Sequence, residues 1–133
     1  MARVLVVDDE EPLTRNLASY LGLFPGEFEV ATAASAEEAL TVIDSFRPDV
    51  LLTDIRLPGL DGFELVRRAC DTHRPMSVIA MTGTRGHDLE QRARALGITA
   101  LLLKPLNLEA VRRLIGASVQ LARSQSVTGE LGT

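Results

Sequence analysis

The chain has 133 residues, 46% of them hydrophobic and 24% charged, with a formal net charge of −4. That length suits one domain with a substantial core, and the acidic balance argues against a nucleic-acid-binding surface, which needs clustered Lys and Arg. No apolar run reaches the ~18 residues of a membrane span, the early Asp8 and Asp9 do not suit a signal peptide, and one cysteine, Cys70, excludes an internal disulfide, so a soluble cytoplasmic protein is expected.

Short apolar runs alternate with helical patterns. A first strand is predicted from Arg3 to Val7, and a first helix from about Glu10 to Leu23, with Pro12 tolerated in its opening turn. Phe24-Pro25-Gly26 breaks the chain. The second strand, Glu27 to Thr32, alternates apolar Phe28 and Val30 with acids, as an edge strand does. Ser35-Ala36-Glu37-Glu38 is a capping box opening a second helix that runs to about Phe46. The third strand is Asp49 to Thr53, and after Leu57-Pro58-Gly59 a third helix spans about Asp61 to Thr72. The fourth strand is Ser77 to Met81, followed by a helix from Gly86 to Leu96 that Gly97 ends. The fifth strand is Thr99 to Leu103. Asn107 caps a fifth helix reaching about Arg123, and Ser124 to Thr133 reads as a loose polar tail or the start of a linker. Strict alternation predicts an α/β fold: a parallel sheet between two layers of helices. The first, third, fourth and fifth strands are near-continuous apolar runs, the mark of strands buried on both faces.

The chain carries thirteen arginines and a single lysine, Lys104, at the end of the fifth strand. A compact ammonium can enter where a planar guanidinium cannot. The other strand ends are polar too: Asp8-Asp9 after the first strand, Asp54 after the third, Thr82 after the fourth. In an open α/β sheet ligands bind beyond the carboxyl ends of the strands, where strand order reverses. With the order 2-1-3-4-5, these residues meet in that crevice. Crowded carboxylates suit a hard divalent cation, and Mg²⁺ takes one or two of them while keeping waters. A carboxylate there can act as a nucleophile towards phosphorus, with Lys104, the Thr82 hydroxyl and backbone N–H groups meeting the phosphoryl oxygens.

Each residue also has a plainer reading. Asp8-Asp9 would cap a helix, Asp54 would be a turn residue, Thr82 a loop hydroxyl bonded to backbone, and Lys104 a snorkelling side chain. All four at matching strand ends is a demanding coincidence. His73 and His87 sit beside no nucleophile and read as surface residues. Cys70 reads as packing.

The stretches Val6-Val7-Asp8-Asp9, Asp54 with Leu57-Pro58-Gly59 and Asp61-Gly62, Met81-Thr82-Gly83 and Lys104-Pro105 together resemble the receiver domain of a two-component response regulator, of the chemotaxis-regulator type. The resemblance covers residues 3 to about 122 and implies a flavodoxin-like, doubly wound (βα)5 sandwich, with a receiver domain over 1–123. It implies that Asp54 is the phosphoacceptor, and that Mg²⁺ is held by Asp9 directly, Asp8 through water, Asp54, and the Arg56 backbone carbonyl. Thr82 would bind the phosphoryl group, and Lys104 would pair with Asp54 at rest and with phosphate after transfer, beside a cis Lys104–Pro105 bond. A histidine kinase or phosphotransfer protein would be the donor, and the domain would be no enzyme beyond its own phosphorylation and dephosphorylation.

Three positions bear on the output. Leu101 stands where the family usually has an aromatic or His, which puts the usual switch in question. Arg56 and Thr84 lie two residues after Asp54 and Thr82, where the family modulates dephosphorylation. The broad apolar arc of the fifth helix (Leu108, Val111, Ile115, Val119 and Ala122, then Ala110, Leu114, Ala117 and Leu121) suits packing on the sheet and a neighbouring helix. It also suits a homodimer through the fourth helix, fifth strand and fifth helix. With no DNA-binding element in the sequence, output is expected through protein contact or a C-terminal effector domain. A flavodoxin-like cofactor binder is disfavoured, since the chain has no Trp and only Tyr20. A phosphate-independent interaction scaffold is the alternative that Leu101 keeps open. If Arg56 modulates hydrolysis, Arg56→Ala will change the lifetime of the phosphorylated form, measured as single-turnover phosphate release. An unchanged rate would count against the role.

Overall fold

The computed structural model describes residues 1–70 and 75–131, with side chains up to 120. Ten elements alternate along the chain: β1 (Ala2–Val7), α1 (Glu11–Leu21), β2 (Phe28–Ala33), α2 (Ala36–Phe46), β3 (Val50–Asp54), α3 (Gly62–Ala69), β4 (Ser77–Thr82), α4 (His87–Ala95), β5 (Ala100–Leu103) and α5 (Leu108–Leu131). The five strands form one parallel sheet in the order β2-β1-β3-β4-β5, the flavodoxin-like topology that the sequence predicts.

The period-2 geometry of the strands divides the interior in two. Val4, Val6, Leu52, Ile79 and Met81 face one side, where Leu17 and Leu21 of α1 and Val111, Ile115 and Val119 of α5 cover them. Leu5, Val7, Leu51 and Val78 face the other, beneath Ala36, Ala39 and Ile43 of α2 and Leu65, Val66 and Ala69 of α3. Each large side chain withdrawn from water here contributes about 1.5–3 kcal/mol. α4 is different. Only Ala93 of that helix is buried, in a small cluster with Ile55, Phe63 and Ala80.

Helix starts follow the sequence signals. Ser35 accepts the Glu38 N–H, while Glu38 reaches back to the Ala34 N–H. Asp61 caps α3 through the Glu64 N–H, and Asn107 caps α5 through the Ala110 N–H.

Three expectations need correction. β5 is half-buried and Leu103 is 41% exposed. It is an outer strand beyond β4, no strand among the described residues extends the sheet past it, and its apolar composition does not mean burial on both faces. α5 continues to Leu131 rather than ending near Arg123. No Pro or early Gly interrupts the stretch after Arg123, so the backbone has no reason to leave the helix there. Cys70 is exposed at the end of α3, because Ala69 takes the last core position of that helix. Of the α5 arc, Val111, Ile115 and Val119 are buried, Leu108 and Leu114 are half-buried, and Ala110 and Ala117 are exposed. His87 is exposed at the start of α4. The expected end of the third helix near Thr72, and His73, lie outside the described residues.

Gly62 fixes how closely α3 approaches the end of β3. Its N–H donates to Ile55 O at 2.8 Å, and a Cβ added there would stand 2.2 Å from Asp54 O and 2.8 Å from Ile55 Cα. Both neighbours are backbone and cannot yield as a side chain tip would. Gly62→Ala is therefore expected to destabilise the domain by about 1–3 kcal/mol, read as a lower urea midpoint at unchanged m-value.

Candidate functional site

The sheet register brings the strand ends level. Val7 pairs with Thr53, Asp54 with Met81 and Thr82 with Leu103, so Asp8, Asp54, Thr82 and Lys104 emerge along one edge. The Lys104 N–H donates to Thr82 O at 2.7 Å, and the Lys104–Pro105 bond is cis, as expected.

Lys104 is the centre of the site. Its Nζ donates to Asp54 Oδ2 at 2.7 Å, Asp8 Oδ2 at 2.8 Å and Glu10 Oε1 at 3.2 Å. An ammonium has three donors, and here each meets one carboxylate. The side chain is only 15% exposed, so it ends in a buried ion cluster rather than snorkelling. Asp8 and Asp54 are both buried and are held alike. One oxygen of each takes the lysine. The other accepts a backbone N–H two residues on, Glu10 for Asp8 at 2.8 Å and Arg56 for Asp54 at 2.9 Å. Two buried carboxylates are tolerable only because lysine and backbone donors satisfy them.

The electrostatics follow from that crowding. Burial pushes the Asp8 carboxyl above the usual aspartate range. The hydrogen bonds from Lys104 and the Glu10 N–H offset this only in part, and the Asp54 charge pushes the same way as burial. Burial alone would favour a neutral Lys104 amine, but the hydrogen bonds to Asp54, Asp8 and Glu10 outweigh it and its pKa is raised.

Asp8, Glu10 and Asp54 each offer a carboxylate oxygen, and these oxygens lie within 4.8 Å of one another. An all-oxygen set of this kind fits a hard cation such as Mg²⁺. The carboxylates gathered here are not the full set that the sequence suggests. Asp9 is exposed and lines a neighbouring groove with Asp8, Glu11, Thr14 and Glu38, while Glu10 takes a place at the lysine. The signal for Glu10 was present in the unbroken acidic run Asp8-Asp9-Glu10-Glu11, which does not say which members turn inward.

The remaining site residues surround this cluster. Thr82 is buried, and its hydroxyl is engaged with the next loop: it donates to Thr84 O at 2.9 Å and accepts the Thr84 N–H at 3.2 Å. Arg56 and Thr84 are exposed. Leu101, half-buried, lines a groove of about 410 Å³ between α4 and β5 together with Thr82, Arg85, Ala93, Arg94 and Leu103. The threonine and the leucine thus share one opening.

Asp8 and Lys104 give the site a testable pH signature. A folded-state pKa raised above the unfolded value means that ionised Asp8 costs stability, a cost absent below the unfolded aspartate pKa and complete above the folded one. For Lys104 the raised pKa adds stability that is full below its unfolded pKa and is lost as pH rises through its folded pKa. Asp8→Asn is therefore expected to stabilise the metal-free protein at neutral pH, with the gain shrinking as pH falls into the carboxylate range. Urea denaturation at both pH values measures it, and an equal gain at both would contradict the assignment.

The comparisons with known proteins agree with this geometry. The model of the response regulator receiver domain matches residues 4–116. The chain is 42% identical over 109 residues to the positive alginate biosynthesis regulatory protein of Pseudomonas aeruginosa, covering 80% of this chain and 42% of that protein. It is 32% identical over 133 residues to a protein-glutamate methylesterase/protein-glutamine glutaminase of Rhodopseudomonas palustris, covering 96% of this chain and 36% of that one. The chain thus spans less than half the length of these curated relatives. Among solved structures, a CheY-like receiver domain protein from Methanospirillum hungatei superposes with a TM-score of 0.86 at 26% identity, covering 94% of this chain and 98% of the other. Chemotaxis protein CheY4 of Vibrio cholerae gives 0.81 at 29% identity, covering 89% and 98%. The family match begins in β1 and ends in α5, and so takes in every strand that contributes to the acid–lysine cluster: the chain belongs to the response regulator receiver domain family.

Proposed function

We propose that Asp54 is the phosphoacceptor of this receiver domain, taking a phosphoryl group from the phosphohistidine of a histidine kinase or phosphotransfer protein. The observation that carries the proposal is Lys104, which bridges Asp54 and Asp8 across three strand ends at 2.7 and 2.8 Å. A carboxylate oxygen of Asp54 attacks phosphorus, the P–N bond breaks, and the imidazole leaves with its electron pair. Lys104 gives up Asp54 for a phosphoryl oxygen, and the Arg56 N–H keeps hold of the oxygen it already binds. Thr82 must exchange Thr84 for the phosphoryl group, which couples the strand end to the β4–α4 loop. Mg²⁺, held by carboxylates from Asp8, Asp9 or Glu10 and by Asp54 and the Arg56 carbonyl, would neutralise charge on the transferring group. The activity is confined to the domain's own phosphorylation and dephosphorylation.

The output is proposed to pass through the α4–β5 groove. Leu101 has no ring to bury there, so Thr82 movement would change the groove's shape rather than hide an aromatic side chain. A homodimer through α4, β5 and α5, a C-terminal effector domain and a cytoplasmic setting remain part of this reading. The second reading, a phosphate-independent scaffold, draws on Leu101 alone.

Incubation with Mg²⁺ and a small phosphodonor, followed by intact mass measurement, is expected to give one hydrolysable phosphoryl adduct that EDTA prevents and Asp54→Asn abolishes. An absent adduct in a folded protein would favour the scaffold.

A further inference from the structure

Of the three carboxylates at Lys104, Glu10 is the one that stands at the solvent side of the site. Its side chain is 63% exposed, against 0% for Asp8 and 9% for Asp54. It stands at the N-cap position of α1 and makes no capping hydrogen bond. Its carboxylate goes to Lys104 instead. Three carboxylates share one ammonium, and the oxygen of Glu10 lies within 4.8 Å of those of Asp8 and Asp54. An incoming donor therefore meets the Glu10 charge before it reaches Asp54.

We propose that Glu10 selects among phosphodonors by their charge, holding back highly anionic small donors relative to less anionic ones. The proposal rests on Asp54 being the phosphoacceptor. The closer a donor's net charge comes to that of a phosphate dianion, the more the Glu10 carboxylate repels it. The same carboxylate also restrains Lys104, the cation that would attract it. Removing the charge acts in one direction through both routes. Glu10 is in this sense a specificity-determining residue that touches the catalytic lysine and takes no part in bond making.

Acetyl phosphate and phosphoramidate separate the effect from the chemistry. Both transfer the same group to Asp54. Acetyl phosphate reacts as a dianion, its P–O bond breaking as acetate leaves with the electron pair. Phosphoramidate reacts as a monoanion whose nitrogen already carries the proton, and the P–N bond breaks to release ammonia. The ratio of their second-order rates, measured at one Mg²⁺ concentration, cancels any change in metal occupancy. Glu10→Gln is expected to raise the ratio of acetyl phosphate to phosphoramidate by about three- to tenfold at low ionic strength, and less as salt screens the exposed charge. Glu10→Asp keeps the charge and should stay near the unmodified ratio. Glu11→Gln removes the neighbouring charge, which pairs with Arg15 instead, and should also leave the ratio near its starting value. A ratio unchanged in Glu10→Gln, or moved as far by Glu11→Gln, overturns the proposal while leaving Asp54 as acceptor. Failure of the unmodified protein to react with either donor overturns both.

Discussion

Three carboxylates at one ammonium is the arrangement on which the rest of the site depends. Lys104 comes from the outermost strand, Asp54 from the middle of the sheet, and Asp8 and Glu10 from the turn after β1. No local stretch of chain could assemble them. The strands must be in register and the loop after Lys104 must turn inward before any charge is compensated. Such a cluster adds little net stability, because desolvation consumes most of what the ion pairs return. What it supplies is a set of negative oxygens held close together and ready for a cation, with their repulsion kept in check by a group that can move.

The buried aspartates are fixed on both sides. Each lends one oxygen to a backbone N–H two residues ahead and one to the lysine. Neither carboxylate can rotate without losing a partner, so the orientation of both is set by the fold. Gly62 serves the same end from beneath, allowing α3 to sit against the backbone of Asp54 and Ile55. With Asp54 as the proposed phosphoacceptor, catalysis by positioning asks for this kind of rigidity at the attacking carboxylate.

Much of this was legible in the sequence because it rests on periodicity and on rare residues. Apolar runs of strand length gave the five strands, Ser35, Asp61 and Asn107 marked helix starts, and the lone lysine pointed to its site. What escaped depended on placement in space. The apolar residues Ala100 to Leu103 look alike whether a strand is central or at the edge, so the exposure of Leu103 follows from strand order. An acidic run does not state which members reach the lysine, so the contact of the exposed Glu10 with Lys104 follows only from the fold. The Thr82–Thr84 pair is a loop conformation with no pattern of its own. The polar composition after Arg123 suggests a loose tail, but polar residues without a Pro sustain a helix equally well, and α5 runs to Leu131.

The thin anchoring of α4 has a consequence for how a signal could leave the site. α1, α2, α3 and α5 each set several side chains into one of the two main core clusters, and unfolding any of them would expose much of that cluster. α4 buries only Ala93, with Leu89 half-buried against the same small cluster, so its local opening free energy should be among the lowest in the domain. It also begins just beyond the loop that holds Thr82. A modest change at the strand end therefore acts on the segment least able to resist it, and the core need not be disturbed for the surface to change.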